Sequence, residues 1–234
     1  FLTRYQPDAL RYFICAAGPE TSDADFTWRE FVQRTNSELV AGWGNLVQRT
    51  ATMIHKNFGE IPVCGPLASE DQAILDLVER GFAVVGDLLG RQRLRQATAE
   101  AMRVVGEVNA YISRTEPFKL KGEDQRERLA TILHVLAQCV SDCNTLLAPM
   151  LPHSANVVAA VFGATEQFMP MPRVEEVADL DVDARYPIIT GDYSATPPWR
   201  RVPVVAGTVI DKPAGVFTKL DDSVIAQELD RMAG

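Results

Sequence analysis

Nothing in the sequence approaches the roughly 18 consecutive apolar residues that a membrane span needs. The opening residues FLTRYQPDAL also show no basic stretch followed by an apolar signal core. Neither a membrane protein nor a secreted one is expected, and a cytoplasmic location follows. Also missing are the patterns GxGxxG, GxxxxGK[ST], HExxH and GxSxG, so no catalytic residue can be nominated. Cysteine is scarce: Cys15, Cys64, Cys139 and Cys143 form no CxxC pair and stand at no zinc-binding spacing from histidine. Neither a metal site nor a disulfide framework is indicated, and free thiols in a core fit better. The three histidines, His55, His134 and His153, are dispersed and read as structural.

Basic charge is in deficit as well. Twenty-three Lys and Arg stand against 31 Asp and Glu, a net charge of -8. Whole-surface attraction to nucleic acid is thereby excluded, and any RNA site has to be local. The acid excess lies mainly beyond residue 120. Residue 1 is Phe rather than Met, and the opening residues read as a continuation, so the chain is expected to be a segment of a longer one.

Hydrophobic residues make up 47% of the 234, enough for a real core, and most recur at helical steps. A short helix is expected over 7–18, with Pro7 in its first turn and Gly18 at its end. Thr27 and Glu30 have capping-box spacing and mark the start of a helix of about 30 residues. Its apolar stripe runs from Phe31 through Leu39, Trp43, Leu46 and Ile54 to Phe58. Ser69 and Gln72 repeat the spacing and open a second helix, and Gly86 and Gly90 predict a break before a third. The third ends at Glu116-Pro117, because proline disfavours helical geometry in the residue before it. A fourth helix is expected over Asp124 to Leu147, with Cys139 and Cys143 on its core face, and a fifth over 153–162.

The sequence thus predicts an all-α antiparallel bundle over 27–164. Beyond it, residues 165–234 are rich in proline and acid and read as an extended or irregular extension. A short final helix closes it, capped by Asp222 and displaying Val224, Ile225 and Leu229. Inside the long helix, Asn36, Asn45, Gln48 and Arg49 interrupt the apolar stripe together with Gly42 and Gly44. Two glycines there cost about 1 kcal/mol each relative to alanine. Either close approach of another backbone or exposed backbone beside a ligand would compensate.

Several motifs carry a resemblance. D-A-L-R-Y-F at 8–13, D-A-D-F at 23–26 and F-V-Q-R-T-N-S-E-L-V-A-G-W-G-N-L-V-Q-R at 31–49 are similar to the C-terminal part of methionyl-tRNA synthetases, which are class I aminoacyl-tRNA synthetases. So are N-A-Y-I at 109–112, E-P-F-K-L-K at 116–121, L-L-A-P-M-L-P-H at 146–153 and G-V-F-T-K-L-D at 215–221, in the family's order. The resemblance implies that 1–26 ends a stem-contact region, that 27–164 binds the anticodon, and that 165–234 folds back on the enzyme. It implies a parent that activates methionine with ATP and Mg and transfers it to methionine tRNA. This segment lacks the HIGH-like and KMSKS-like signatures of that chemistry, so alone it is expected to be inert and to hold no cofactor or metal. Its expected partners are the anticodon loop and its own N-terminal catalytic domain, in a monomer.

The resemblance also implies the site. The family's anticodon-reading asparagine and arginine match Asn45 and Arg49, and its aromatic residue after a proline matches Phe118 after Pro117. Phe118 replaces the tryptophan of familiar members, which keeps a stacking face and loses the indole N–H. Two other readings stay open: a helical scaffold whose polar stripe docks a protein, and the equivalent domain of a related class I synthetase.

Overall fold

The computed structural model describes residues 1–20, 23–179, 181–192, 194, 196–211 and 215–233. Helix α1 (Pro7–Ala17) is followed by a continuous rod made of α2 (Trp28–Arg34), a π-helical stretch Thr35–Gly44 and α3 (Asn45–Asn57). Then come α4 (Ser69–Gly90), α5 (Leu94–Thr115), α6 (Arg126–Leu147) and α7 (Pro152–Val161). The extension holds an antiparallel hairpin, β1 (Arg173–Ala178) and β2 (Arg185–Thr190), and ends in α8 (Ser223–Ala233). The helical fold agrees with the expectation, and the hairpin is an addition to it. None of the helices among the described residues is long and apolar enough to cross a membrane.

Local chemistry explains where elements begin. The Thr27 hydroxyl accepts the Glu30 amide at 3.2 Å, the predicted cap. At the second predicted cap the chain differs. The residue preceding α4 is Ala68, which has no side-chain acceptor, and Asp71 instead reaches back to the Ala68 amide at 2.8 Å. Before α8, Asp221 rather than Asp222 accepts the Ser223 amide, at 2.9 Å. The α7 start is capped from another helix: the buried Asp8 carboxylate of α1 takes the Ser154 amide at 2.6 Å and its hydroxyl at 2.7 Å. Arg11, one turn further along α1, donates to the carbonyls of Met150 and Pro149. The early D-A-L-R motif and the later L-L-A-P-M-L-P-H motif therefore form one joint.

Gly86 does not break α4, contrary to the sequence expectation, and the helix continues to Gly90. Its lack of a side chain serves a close approach: a Cβ there would stand 2.6 Å from Nε1 of Trp199, which donates to the Phe82 carbonyl at 2.8 Å.

The core runs the length of the bundle. Trp43, Leu46 and Ile54 of the rod meet Val78 and Val85 of α4, Val104, Val108 and Tyr111 of α5, and Leu133, Leu136 and Val140 of α6. Cys139 and Cys143 are fully buried in it, and burial pushes both thiols upward, as inert core cysteines require. His55 and His134 bond to the carbonyls of Ile210 and Pro62 at 2.8 and 2.9 Å and act as structural ties. At one end of the bundle the buried Asp71 accepts from Tyr111 at 2.5 Å and from both terminal nitrogens of Arg128. Burial raises its pKa, but these bonds outweigh it and hold the carboxyl below its usual value.

The extension is a belt. Arg201 pairs with Asp142 of α6 at 2.7 Å and Glu79 of α4 at 3.0 Å, while the Gln138 side chain bonds the backbone of Val202 and Val204. Residues 207–210 pair with Gly59 and Ile61 beyond the end of α3. The chain then returns along the whole rod in the opposite direction. Ile210 meets His55, Gly215 lies near Gln48, Phe217 meets Gly44 and Leu220 meets Asn36. Finally Met232 of α8 accepts from Trp28.

Candidate nucleic-acid interface

Asn45 is the first residue of α3 and is exposed, and Arg49 follows one turn later on the same face. Neither side chain has a hydrogen-bond or ion-pair partner among the described residues, where many other arginines are tied to carboxylates or carbonyls. Two observations bear on the glycines upstream. A Cβ at Gly42 would lie 3.4 Å from Met102 of α5, and the Gly42 carbonyl receives the Asn109 amide at 3.3 Å. A Cβ at Gly44 would lie 3.0 Å from the Leu39 carbonyl oxygen and 3.4 Å from the Phe217 ring. Of the two, space is tight only at Gly44, where its own rod and the belt both approach, while Gly42 stands in ordinary contact with α5.

Phe118 lies at the far end of α5. Glu116 takes a left-handed conformation (φ 45°, ψ 50°), which turns the chain out of the helix, and Pro117 is buried beneath the following short turn. That anchor leaves the Phe118 ring 49% exposed. Glu116 and Lys119 pair across the turn at 2.6 Å. Asn45 and Arg49 are therefore held together by one helix, whereas Phe118 is presented separately on the α5–α6 connection. Among the described residues Arg49 stacks on no ring of its own chain; the arginine near the end of α3 that does is Arg126, 4.7 Å from the Phe58 centroid.

A cleft of about 390 Å³ opens beside Asn45, between the rod (Gly44, Asn45 and Gln48) and residues 215–217 of the belt. Asn36, a polar residue with no role assigned from its spacing, pairs both ways with the Leu220 backbone at 2.8 Å. It holds the belt to the rod. Its signal was its place on the core-facing stripe, but its partner lies 184 residues away. An exposed amide and an unpaired guanidinium one turn apart can offer paired donors and acceptors to a base edge, and a half-exposed phenyl ring can stack on an unstacked base. Among the described residues no group of three or more His, Cys, Asp or Glu could hold a metal ion.

Among known proteins, the chain is similar to methionine–tRNA ligases. Residues 1–51 match the family described as tRNA synthetases class I (M). The chain is 61% identical over 231 residues to a methionine–tRNA ligase of Nocardioides sp., covering 99% of the chain and 38% of that relative. It is 60% identical over 235 residues to the methionine–tRNA ligase of Beutenbergia cavernae, again over 99% of the chain and 38% of the relative. The fold matches that of the free-state crystal structure of Mycobacterium tuberculosis methionyl-tRNA synthetase with a TM-score of 0.74 at 24% identity, over 93% of this chain and 39% of that one.

Proposed function

We propose that the chain, a member of the methionyl-tRNA synthetase family that spans 38% of the length of the Nocardioides and Beutenbergia relatives, is the anticodon-recognising portion of a methionine–tRNA ligase. The whole enzyme would activate methionine with ATP and attach it to methionine tRNA as a cytoplasmic monomer. Residues 1–26 would close its stem-contact region, 27–164 bind the anticodon, and 165–234 fold back on the enzyme. ATP and its Mg are assigned to the remainder of the enzyme, which would carry the HIGH-like and KMSKS-like signatures absent from this sequence.

In this reading Asn45 and Arg49 read base edges of the anticodon, and Phe118, held out by the buried Pro117, supplies a stacking face. The observation that supports it most directly is the unpaired Arg49 one turn from the exposed Asn45, in a chain whose acids outnumber its bases. An acidic surface elsewhere would keep the attraction local, so that the loop docks at one place rather than along the bundle. Filter binding of the chain to initiator methionine tRNA and to a transcript with a changed anticodon tests it. Preferential binding of the first is expected. Equal or absent binding of both favours a protein scaffold instead.

A further inference from the structure

The G-V-F-T-K-L-D motif touches neither Arg49 nor Phe118, yet it is fastened with unusual care. Gln6 donates to the Val216 carbonyl at 3.2 Å and accepts the Thr218 amide at 3.3 Å. Asn36 makes the equivalent pair of bonds with Leu220, both at 2.8 Å. Two side-chain amides, one on each side of it, thus fix Phe217, whose buried ring lies where a Gly44 Cβ would touch it. Gly44 is the last residue of the π-helical stretch, and Asn45 begins α3. A π-helical stretch is uncommon and shifts the rotation of everything downstream in the rod, because each of its turns contains an extra residue. Where that stretch ends decides the direction in which Asn45 and Arg49 point.

We infer that residues 215–220 are a positioning strap for base readout, with Phe217 as its positioning residue. The ring wedges the junction between π and α winding at Gly44 and so sets the rotation of the first turn of α3. The inference rests on the anticodon reading of Asn45 and Arg49. Neither half of the contact suffices alone. Gly44 matters because a Cβ there would crowd the Leu39 carbonyl oxygen at 3.0 Å and touch the Phe217 ring at 3.4 Å, and Phe217 matters because its ring is the belt side chain set against that glycine.

The test compares, in the whole ligase, the charging of methionine tRNA with that of a changed-anticodon transcript, well below the melting temperature. Phe217→Ala and Gly44→Ala are each expected to reduce discrimination about tenfold, the scale of a sub-ångström to 1 Å misplacement of recognition groups. Phe217→Leu, which keeps an apolar wedge, is expected to restore most of it. A purely structural strap would lower the melting temperature and leave the discrimination ratio unchanged, and that result for both alanine variants overturns the inference. Where Phe217→Ala does not fold, Gly44→Ala carries the comparison, since it adds one methyl group and removes nothing. Arg49→Ala separates the two levels of argument. If it discriminates like wild type, the anticodon reading itself falls. If it is impaired while both strap variants are normal, only the positioning role falls.

Discussion

Arg49 is a guanidinium with no ion-pair partner among the described residues, in a chain with eight more negative than positive charges. In such a surface an unpaired arginine is available to an external anion or base. Arg49→Ala in the whole ligase is expected to cost roughly 1–3 kcal/mol of transition-state stabilisation in charging, the worth of one good base contact. The loss should fall on the correct tRNA and narrow its advantage over a changed-anticodon transcript. Wild-type charging and discrimination in that variant would refute the assignment. Phe118→Ala should lose a stacking contact of about 1–3 kcal/mol, and Phe118→Trp should keep or strengthen it, both read from steady-state charging. Neither residue could be singled out from local chemistry. Asn45 and Arg49 fit packing in the bundle equally well on spacing alone, and only the surrounding G-N-L-V-Q-R motif set them apart. The structure adds that their side chains are free to meet a ligand.

Among the elements, those governed by short-range chemistry were legible. Thr27 caps the rod, Glu116-Pro117 ends α5, and the apolar stripe of α6 runs where its spacing puts it. The misplaced features all depend on distant partners. Gly86 is kept small by Trp199, more than a hundred residues on, and the sequence shows only a glycine in a helix. The hairpin leaves Val174 and Ile189 opposite each other and about three-quarters exposed, so it lacks the alternation that a half-buried strand displays. The joint between belt and α6 makes a pH prediction. Burial pushes the Asp142 carboxyl up to about 6 in spite of Arg201 and Gln138. An unfolded aspartate titrates near 3.9, so between about pH 4 and 6 the folded state holds more protons. The contribution of Asp142 is full below that window and declines as pH rises through it. The stability of wild type relative to Asp142→Asn should therefore fall from about pH 4 to pH 6 in urea titrations, and a flat or rising difference would refute it. Glu228 of α8 has the opposite sign. The Tyr5 hydroxyl at 2.5 Å, opposed by burial and aided by Arg4 and Arg231, holds its carboxyl below the usual range. The docking of α8 is complete above the unfolded glutamate pKa and weakens as acid is added.

At the scale of the molecule, the chain is a bundle along which its own C-terminal segment is laid, and the proposed role is anticodon recognition. Supplied alone with methionine, ATP and Mg, it should show no pyrophosphate exchange above a heat-killed control. The belt has a thermodynamic consequence as well. Among the described residues of 205–234, Ile210, Val216 and Phe217 are buried and belong to the same apolar core as the rod. At about 1.5–3 kcal/mol per buried side chain of this size, those three contribute about 4.5–9 kcal/mol, an upper range because unfolded chains already hide some apolar surface. Domains of this size are commonly stable by only about 5–15 kcal/mol. Deleting residues 205–234 from the whole enzyme should accordingly bring the bundle close to its stability limit. Its urea midpoint should move down by about a molar or more, given a slope of ~1–3 kcal/mol per molar. The same deletion removes the wedge at Gly44, so the surviving folded enzyme should charge methionine tRNA with reduced discrimination. An unchanged urea midpoint would show that the belt merely lies on the bundle, and unchanged discrimination would show that the rod holds its own winding.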